Sequence, residues 1–306
     1  MFAAIIMENI PCDYCGSDNP ELKWRAPDRL TNTGEVFSVV KCRQCGLIYV
    51  NPRPSLGEMT KYYPADYWAF IRLKGIKWRI KKRILDRELS AIKKRLPAGA
   101  KILEIGTGSG EDLAYLRDIG GYIVEGSDVS EHAVNTGKKE FNLDLKQGAI
   151  EDLNYPEGFY DLVRLKFVIS HVAGPMRFLK EVNRVLKSQG WVLMWVPNFE
   201  SWSQKIFKSR WLGGEPPRHL YDFSGQTISN YLEKTGFEII ELRHSVSPNT
   251  FIHSFRYWLS EHNLPNFAVR LFSINFFSMI LFLPFSLLAS LTRASDRLMI
   301  IARKTT

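Results

Sequence analysis

Leu103-Glu104-Ile105-Gly106-Thr107-Gly108-Ser109-Gly110-Glu111 is the stretch on which the reading of this chain turns. The residues before it, 101–105, form a short apolar run with the character of a strand, and a helical pattern follows over 112–119. Glycines between a strand and a helix permit a sharp turn and let a ligand approach the backbone at a helix N-terminus. The dinucleotide fingerprint is G-x-G-x-x-G, but here the third glycine comes one residue early and Glu111 takes its place. The carboxylate of Glu104, just ahead of the turn, would repel a pyrophosphate. It suits a ligand that carries an ammonium and a sulfonium.

Strands and helices alternate outward from this turn. Strands are expected at 121–126, 161–167 and 191–196, with helices at 130–141 and 175–186, the first opened by a Ser130 cap with Glu131 in its first turn. Alternation of this kind makes an α/β fold, with helices covering both faces of a parallel sheet. Two late strands, 237–246 and 297–303, are separated by about fifty residues of mostly helical pattern.

Glu104 to Gly110 reads E-x-G-x-G-x-G, and this resembles the first motif of the class I S-adenosylmethionine-dependent methyltransferases. Further motifs follow in the family's order. Asp128 ends the second strand where the family places an acid for the ribose hydroxyls, and Val129 would face adenine. Gln147-Gly148-Ala149-Ile150-Glu151-Asp152 resembles the third motif, with Ala149 where many members carry Asp, so backbone amides or Glu151 would serve the adenine. Phe159-Tyr160-Asp161-Leu162-Val163 and Val168-Ile169-Ser170-His171-Val172 resemble the fourth-strand region, with Ser170 replacing the usual Glu. The likeness covers about residues 97–246. It implies a Rossmann-like, mostly parallel seven-stranded sheet with a helical insertion before the last strand. It also implies S-adenosylmethionine held by Glu104, Gly106, Thr107, Gly108, Gly110, Asp128, Val129, Ala149, Ile150 and Lys166.

The four cysteines are Cys12, Cys15, Cys42 and Cys45, in two C-x2-C turns each followed by glycine. Two such turns complete a tetrahedral shell for a structural Zn2+. The first ten residues include Glu8 and lack a basic start, so they do not read as an export signal; a cytoplasmic, reducing compartment is expected, where thiols bind metal. Residues 1–54 are read as a zinc-ribbon-like module, 55–96 as a basic helical linker and 97–306 as the methyltransferase domain. The front module, together with Asn51-Pro52-Arg53-Pro54 and Pro216-Pro217-Arg218-His219-Leu220-Tyr221, resembles that of bacterial methyltransferases of surface-polysaccharide and deoxysugar pathways.

The 306 residues carry a net charge of +9, with 45% hydrophobic and 24% charged residues, which suits a globular chain with anionic partners. The stretch from Arg72 to Arg95 is rich in Lys and Arg, with Ile76, Ile80, Ile84, Leu85, Leu89 and Ile92 at helical spacing. Such a cationic face also fits a second reading, methylation of rRNA or tRNA, although the Asn-Pro-Pro-aromatic signature of amino-group methylation is absent. Residues 271–292 contain no charge; a helical hairpin over 249–292 is expected to pack on the domain or to meet a membrane peripherally. Residues 199–223 are read as a lid over a small-molecule or glycan acceptor, with Arg218, His219 and Tyr221 as its substrate contacts and Trp202 and Trp211 available for stacking. His171, just past the fourth strand, is the candidate base, with oxygen methylation expected and a quinone ring as a variant acceptor.

Overall fold

In a computed structural model, residues 5–31, 33–64, 67, 75–262, 266–273 and 275–305 are described. Met1 and Arg72, and the side chains of Ile76, Lys77 and Phe276, lie outside them.

The front of the chain folds as strands β1 (Met7–Glu8), β2 (Pro20–Pro27), β3 (Val36–Cys42), β4 (Ile48–Val50) and β5 (Arg53–Pro54). The long helix α1 (Gly75–Lys93) leads into the alternating part: β6 (Lys101–Ile105), α2 (Glu111–Asp118), β7 (Ile123–Asp128), α3 (Glu131–Phe141), β8 (Leu145–Gln147), β9 (Tyr160–Lys166), α4 (Pro175–Val185) and β10 (Leu186–Pro197). There follow α5 (Trp202–Phe207), β11 (Tyr221–Asp222), α6 (Gly225–Lys234), β12 (Phe237–Ser245), α7 (Pro248–Glu261), α8 (Asn266–Leu271), α9 (Phe276–Leu291) and β13 (Arg297–Lys304).

A seven-stranded sheet in the order β12-β13-β10-β9-β6-β7-β8 forms the centre. The strands from β8 to β10 pair in parallel, and β13 runs antiparallel to both β10 and β12. This is the expected Rossmann-like sheet, with the helical insertion α7–α9 ahead of the last strand. Its apolar strand residues alternate between two cores. Ile102, Leu162 and Leu193 face α1 and α2, while Leu103, Val163 and Met194 face the layer containing α4 and α6. The strand order reverses beside β6, whose neighbours are β7 and β9. Open α/β sheets bind ligands at the carboxyl ends of strands at such a point.

Two expectations need correction. The apolar spacing of α1 does not mark one buried face: Leu85, Leu89 and Ile92 are buried, but Ile80 and Ile84 are exposed. Trp78 in the first half of α1 is partly buried against the same core, its ring edge-on to Tyr115 of α2. Nor does the front module end at residue 54. Strand β11, from the segment read as a lid, joins the front sheet in the order β11-β4-β3-β2. Arg218 explains this union: its guanidinium is buried, donating to Asp28 Oδ1 at 2.8 Å and to the Tyr62 carbonyl at 3.1 Å.

The four cysteines converge so that one Sγ atom of each lies within 4.8 Å of all the others. Cys12 and Cys45 sulfurs are 3.4 Å apart, and those of Cys15 and Cys42 3.5 Å. Tetrahedral zinc with Zn–S bonds of about 2.3 Å would set sulfurs about 3.8 Å apart, far beyond a disulfide. Gly16 and Gly46 close the knuckles at positive φ, donating to the Cys12 and Cys42 carbonyls. The residues fit a four-thiolate zinc site. Metal analysis of the purified chain is expected to give one zinc ion per chain, and Cys42→Ser to reduce it and to destabilise folding by several kcal/mol. A fully folded native chain without metal would contradict this.

Candidate active site

The glycine turn explains the site's shape. Gly106, Gly108 and Gly110 all have positive φ. A Cβ at Gly106 would stand 2.4 Å from Val168 Cγ2, so the turn lies tightly against the loop after β9. Gly106 N–H donates to the Ser127 carbonyl, and Gly108 N–H to Asp128 Oδ2 at 2.8 Å. Asp128 Oδ1 accepts from Ser130 N–H at 2.9 Å. This carboxylate therefore locks the turn to the end of β7 and still has lone pairs for other donors. Burial raises its pKa above the usual carboxylate value.

Val129 is 72% exposed beside it, an apolar side chain on the carboxyl edge of the sheet. Ile150 is buried beneath a short 3-10 turn (Ile150–Asp152), and Ala149 is the residue that caps it.

Glu104 is only 2% exposed, and its neighbour explains how it tolerates burial. Arg164 faces it across the register of β6 and β9 and is completely buried. The guanidinium donates to Glu88 on α1, to Glu104 Oε1 and, at 3.2 Å, to Asp112 Oδ2 on α2. Lys166 bonds the same Asp112 oxygen, while Lys81 reaches Asp112 Oδ1 at 2.6 Å and Glu111 at 2.8 Å. Three cations thus meet four carboxylates. Among the described residues, Glu104 Oε2 has no hydrogen-bond partner, and neither do Glu88 Oε2 and the buried Thr107 hydroxyl. Burial lifts the Glu104 pKa to about 7 despite the pull of Arg164. The same cations hold Asp112 well below its usual value, against its burial. An unsatisfied buried carboxylate oxygen and one surplus negative charge fit a ligand cation. Lys166, expected among the cofactor-binding residues, pairs through its ammonium with Asp112.

His171 lies past the end of β9. Its Nδ1 is 2.9 Å from the Tyr63 hydroxyl, and its ring meets that of His219 edge-on, with centroids 4.6 Å apart. Burial, His219 and Arg218 push the His171 pKa well down, so the ring is neutral near pH 7. Burial also brings His219 to about 4. His219 Nδ1 sits 2.5 Å from the Gly213 carbonyl and must donate to it, which leaves Nε2 as an acceptor. The Ser170 carbonyl accepts from the amides of Leu220 and Tyr221. That clasp brings the 218–221 strap, and with it the front sheet, onto the loop carrying His171.

Of the three residues expected on the acceptor, His219 has its ring against that of His171. Arg218 is spent on Asp28. Tyr221 is buried, donating to the Ala173 carbonyl and accepting from Arg53. Trp211 is likewise packed, with its indole N–H on Asp296 at 3.3 Å. Sequence reasoning missed Arg164, Glu88, Asp112 and Tyr63. Only Arg164 left a signal, as a charge inside the apolar run Leu162-Val163-Arg164-Leu165.

Comparison with known proteins agrees with this geometry. The sequence profile described as "Methyltransferase domain" matches residues 77–242, more than half of the chain. A Mycolicibacterium smegmatis protein named for S-adenosylmethionine-dependent methyl transfer is 27% identical over 146 residues, covering 46% of this chain and 53% of that protein. The chain thus spans about half the length of this curated relative. Among solved structures, one named for a sarcosine dimethylglycine methyltransferase of Galdieria sulphuraria superposes with a TM-score of 0.51 at 14% identity, covering 74% of this chain and 85% of that one. A chain from the complex of the Haloferax volcanii Trm112 methyltransferase activator with a methyltransferase gives 0.50 at 20% identity, covering 74% and 93%. At these identities the superpositions establish the fold. With the profile spanning strands β6 to β10 and the whole glycine turn, the protein belongs to the methyltransferase-domain family.

Proposed function

We propose that this protein transfers the methyl group of S-adenosylmethionine to a hydroxyl oxygen of a small molecule or glycan intermediate, in surface-polysaccharide or related biosynthesis. The free Oε2 of Glu104, buried in a cluster with one carboxylate in excess, is the observation that carries the reading. It accepts the ammonium of the methionine moiety, and Arg164 supports it from behind. When bound, S-adenosylmethionine supplies an electrophilic methyl carbon on a sulfonium. Gly106, Thr107, Gly108 and Gly110 let the backbone close around that moiety. Asp128 takes the ribose hydroxyls, and Val129, Ala149 and Ile150 border the adenine. Lys166 acts indirectly, by keeping Asp112 ionised.

Transfer to oxygen needs alignment and removal of one proton. His171 is neutral and therefore able to receive it. For Nε2 to act as the base, Nδ1–H must donate to the Tyr63 oxygen, which a hydroxyl is able to accept. His219 Nε2 offers an acceptor that would orient the acceptor's second hydroxyl.

The exposed Arg79, Lys82, Arg83, Arg87 and Lys93 of α1, with Lys94 just after it, favour a second reading, an RNA acceptor held through phosphates. Radiolabelled methyl donor offered to sugar nucleotides, lipid-linked glycans and ribosomal RNA separates the two. Label on a glycan is expected, with His171→Ala lowering kcat about 10²-fold or more while affinity for S-adenosylhomocysteine holds. Label on RNA alone, or undiminished turnover by the variant, contradicts this reading.

A pH dependence follows from Glu104. The ligand ammonium needs the ionised carboxylate, which is present above pH 7 and lost as pH falls through about 7. Calorimetry should find S-adenosylhomocysteine bound about tenfold more weakly at about pH 6 than at about pH 8. Glu104→Gln should bind weakly and without that dependence. A flat profile in the unsubstituted protein would overturn the assignment.

A further inference from the structure

Helix α9 is built inside out. Its small residues face the protein: the Ser286 hydroxyl accepts from Ser247 N–H at 2.6 Å, Ser290 donates to the His244 carbonyl at 2.8 Å, and Ala289 is buried. Its large residues face outward. Phe277, Ile280, Leu281, Leu283, Phe285, Leu287, Leu288 and Leu291 are all exposed, Leu291 to 80%. At 100° per residue these positions sweep an arc of about 200°, roughly twice the apolar stripe with which a helix usually meets a protein core.

An arc of that width does not match the narrow seam of a partner helix. It matches an apolar medium surrounding the helix on its open side. The charge around it is one-sided. Residues 262–295 contain no Asp or Glu, and Arg270 and Arg293, both exposed, stand beyond the two ends of α9. With 16 residues α9 is about 24 Å long, short of the roughly 30 Å hydrocarbon core. No helix among the described residues is long and apolar enough to cross a membrane. A helix that cannot span but exposes a broad apolar arc with arginines at its ends has the form of an in-plane anchor.

We infer that α9 lies in the surface of an anionic lipid bilayer, its Phe and Leu side chains among the acyl chains and Arg270 and Arg293 on lipid phosphates. Packing carries this position towards the active site. Phe251 and Phe255 of α7 meet Phe282 of α9, and Ser254 of α7 accepts the Leu212 amide one residue ahead of Gly213, whose carbonyl holds His219. On the methyl-transfer reading above, the acceptor pocket then stands beside the membrane, and a lipid-linked hydroxyl compound is the substrate class it serves.

The test uses the full chain and vesicles of phosphatidylcholine with or without phosphatidylglycerol. Sedimentation should carry the protein down with the anionic vesicles. Ile280→Gln, Leu288→Gln and Leu291→Gln together should weaken this at least tenfold. All three sites are exposed, so the circular dichroism and S-adenosylhomocysteine affinity of the triple variant should match the parent. Arg270→Gln with Arg293→Gln should abolish the preference for anionic lipid. The inference falls if the parent stays in the supernatant, or if the triple variant binds vesicles equally well. It also falls if light scattering shows a dimer that the triple substitution dissociates without any vesicle binding, because a second copy then covers the helix. None of these outcomes requires the methyl donor. Failure of vesicle binding therefore leaves the cofactor assignment standing, and failure of the cofactor assignment leaves the lipid contact standing.

Discussion

A guanidinium with no solvent exposure in the middle of a central strand constrains everything near it. Arg164 cannot be left unpaired, since breaking a buried ion pair costs about 3–5 kcal/mol. Its three carboxylates come from three elements: Glu88 from α1, Glu104 from β6 and Asp112 from α2. The arginine thereby fixes both helices against the strand that enters the glycine turn. It also leaves Glu104 with one oxygen engaged and one free. The carboxylate that holds Arg164 thus also presents an unbonded oxygen at the end of β6.

A second constraint joins distant parts of the chain. The 218–221 strap carries Arg218 to Asp28, gives Tyr221 to Arg53, and lays His219 against His171. The four-cysteine knuckles stiffen the ends of β3 and precede β4, the strand that receives β11. The cysteine cluster and the loop carrying His171 are therefore joined through one continuous sheet and strap. Asp13, between the first two cysteines, extends this by accepting from the Met176 amide and the Tyr231 hydroxyl.

Much of this was legible in the residues alone. The E-x-G-x-G-x-G turn and the alternation around it imply the sheet, because periodicity and glycine placement are local properties. The two late strands and the insertion between them were readable for the same reason, and so was the convergence of the cysteines. Roles that depend on remote partners were not. Arg218 looks like an anion-binding residue until Asp28, 190 positions away, is seen beneath it. The pairing of Lys166 with Asp112 on another element leaves no trace in the sequence. Ile80 and Ile84 fit a helical stripe, yet both are exposed. In α9 almost every position is apolar, so no periodicity shows which side faces the domain; the hydrogen bonds of Ser286 and Ser290 decide it.

The central claim is electrostatic: the turn after β6 receives a cation and not a pyrophosphate. Titrating S-adenosylhomocysteine and, separately, NADH into the protein at about pH 8 tests it most directly. One-to-one binding of the first and no heat from the second is the expected result. Binding of NADH at the same site, or no binding of the nucleoside, would contradict the account.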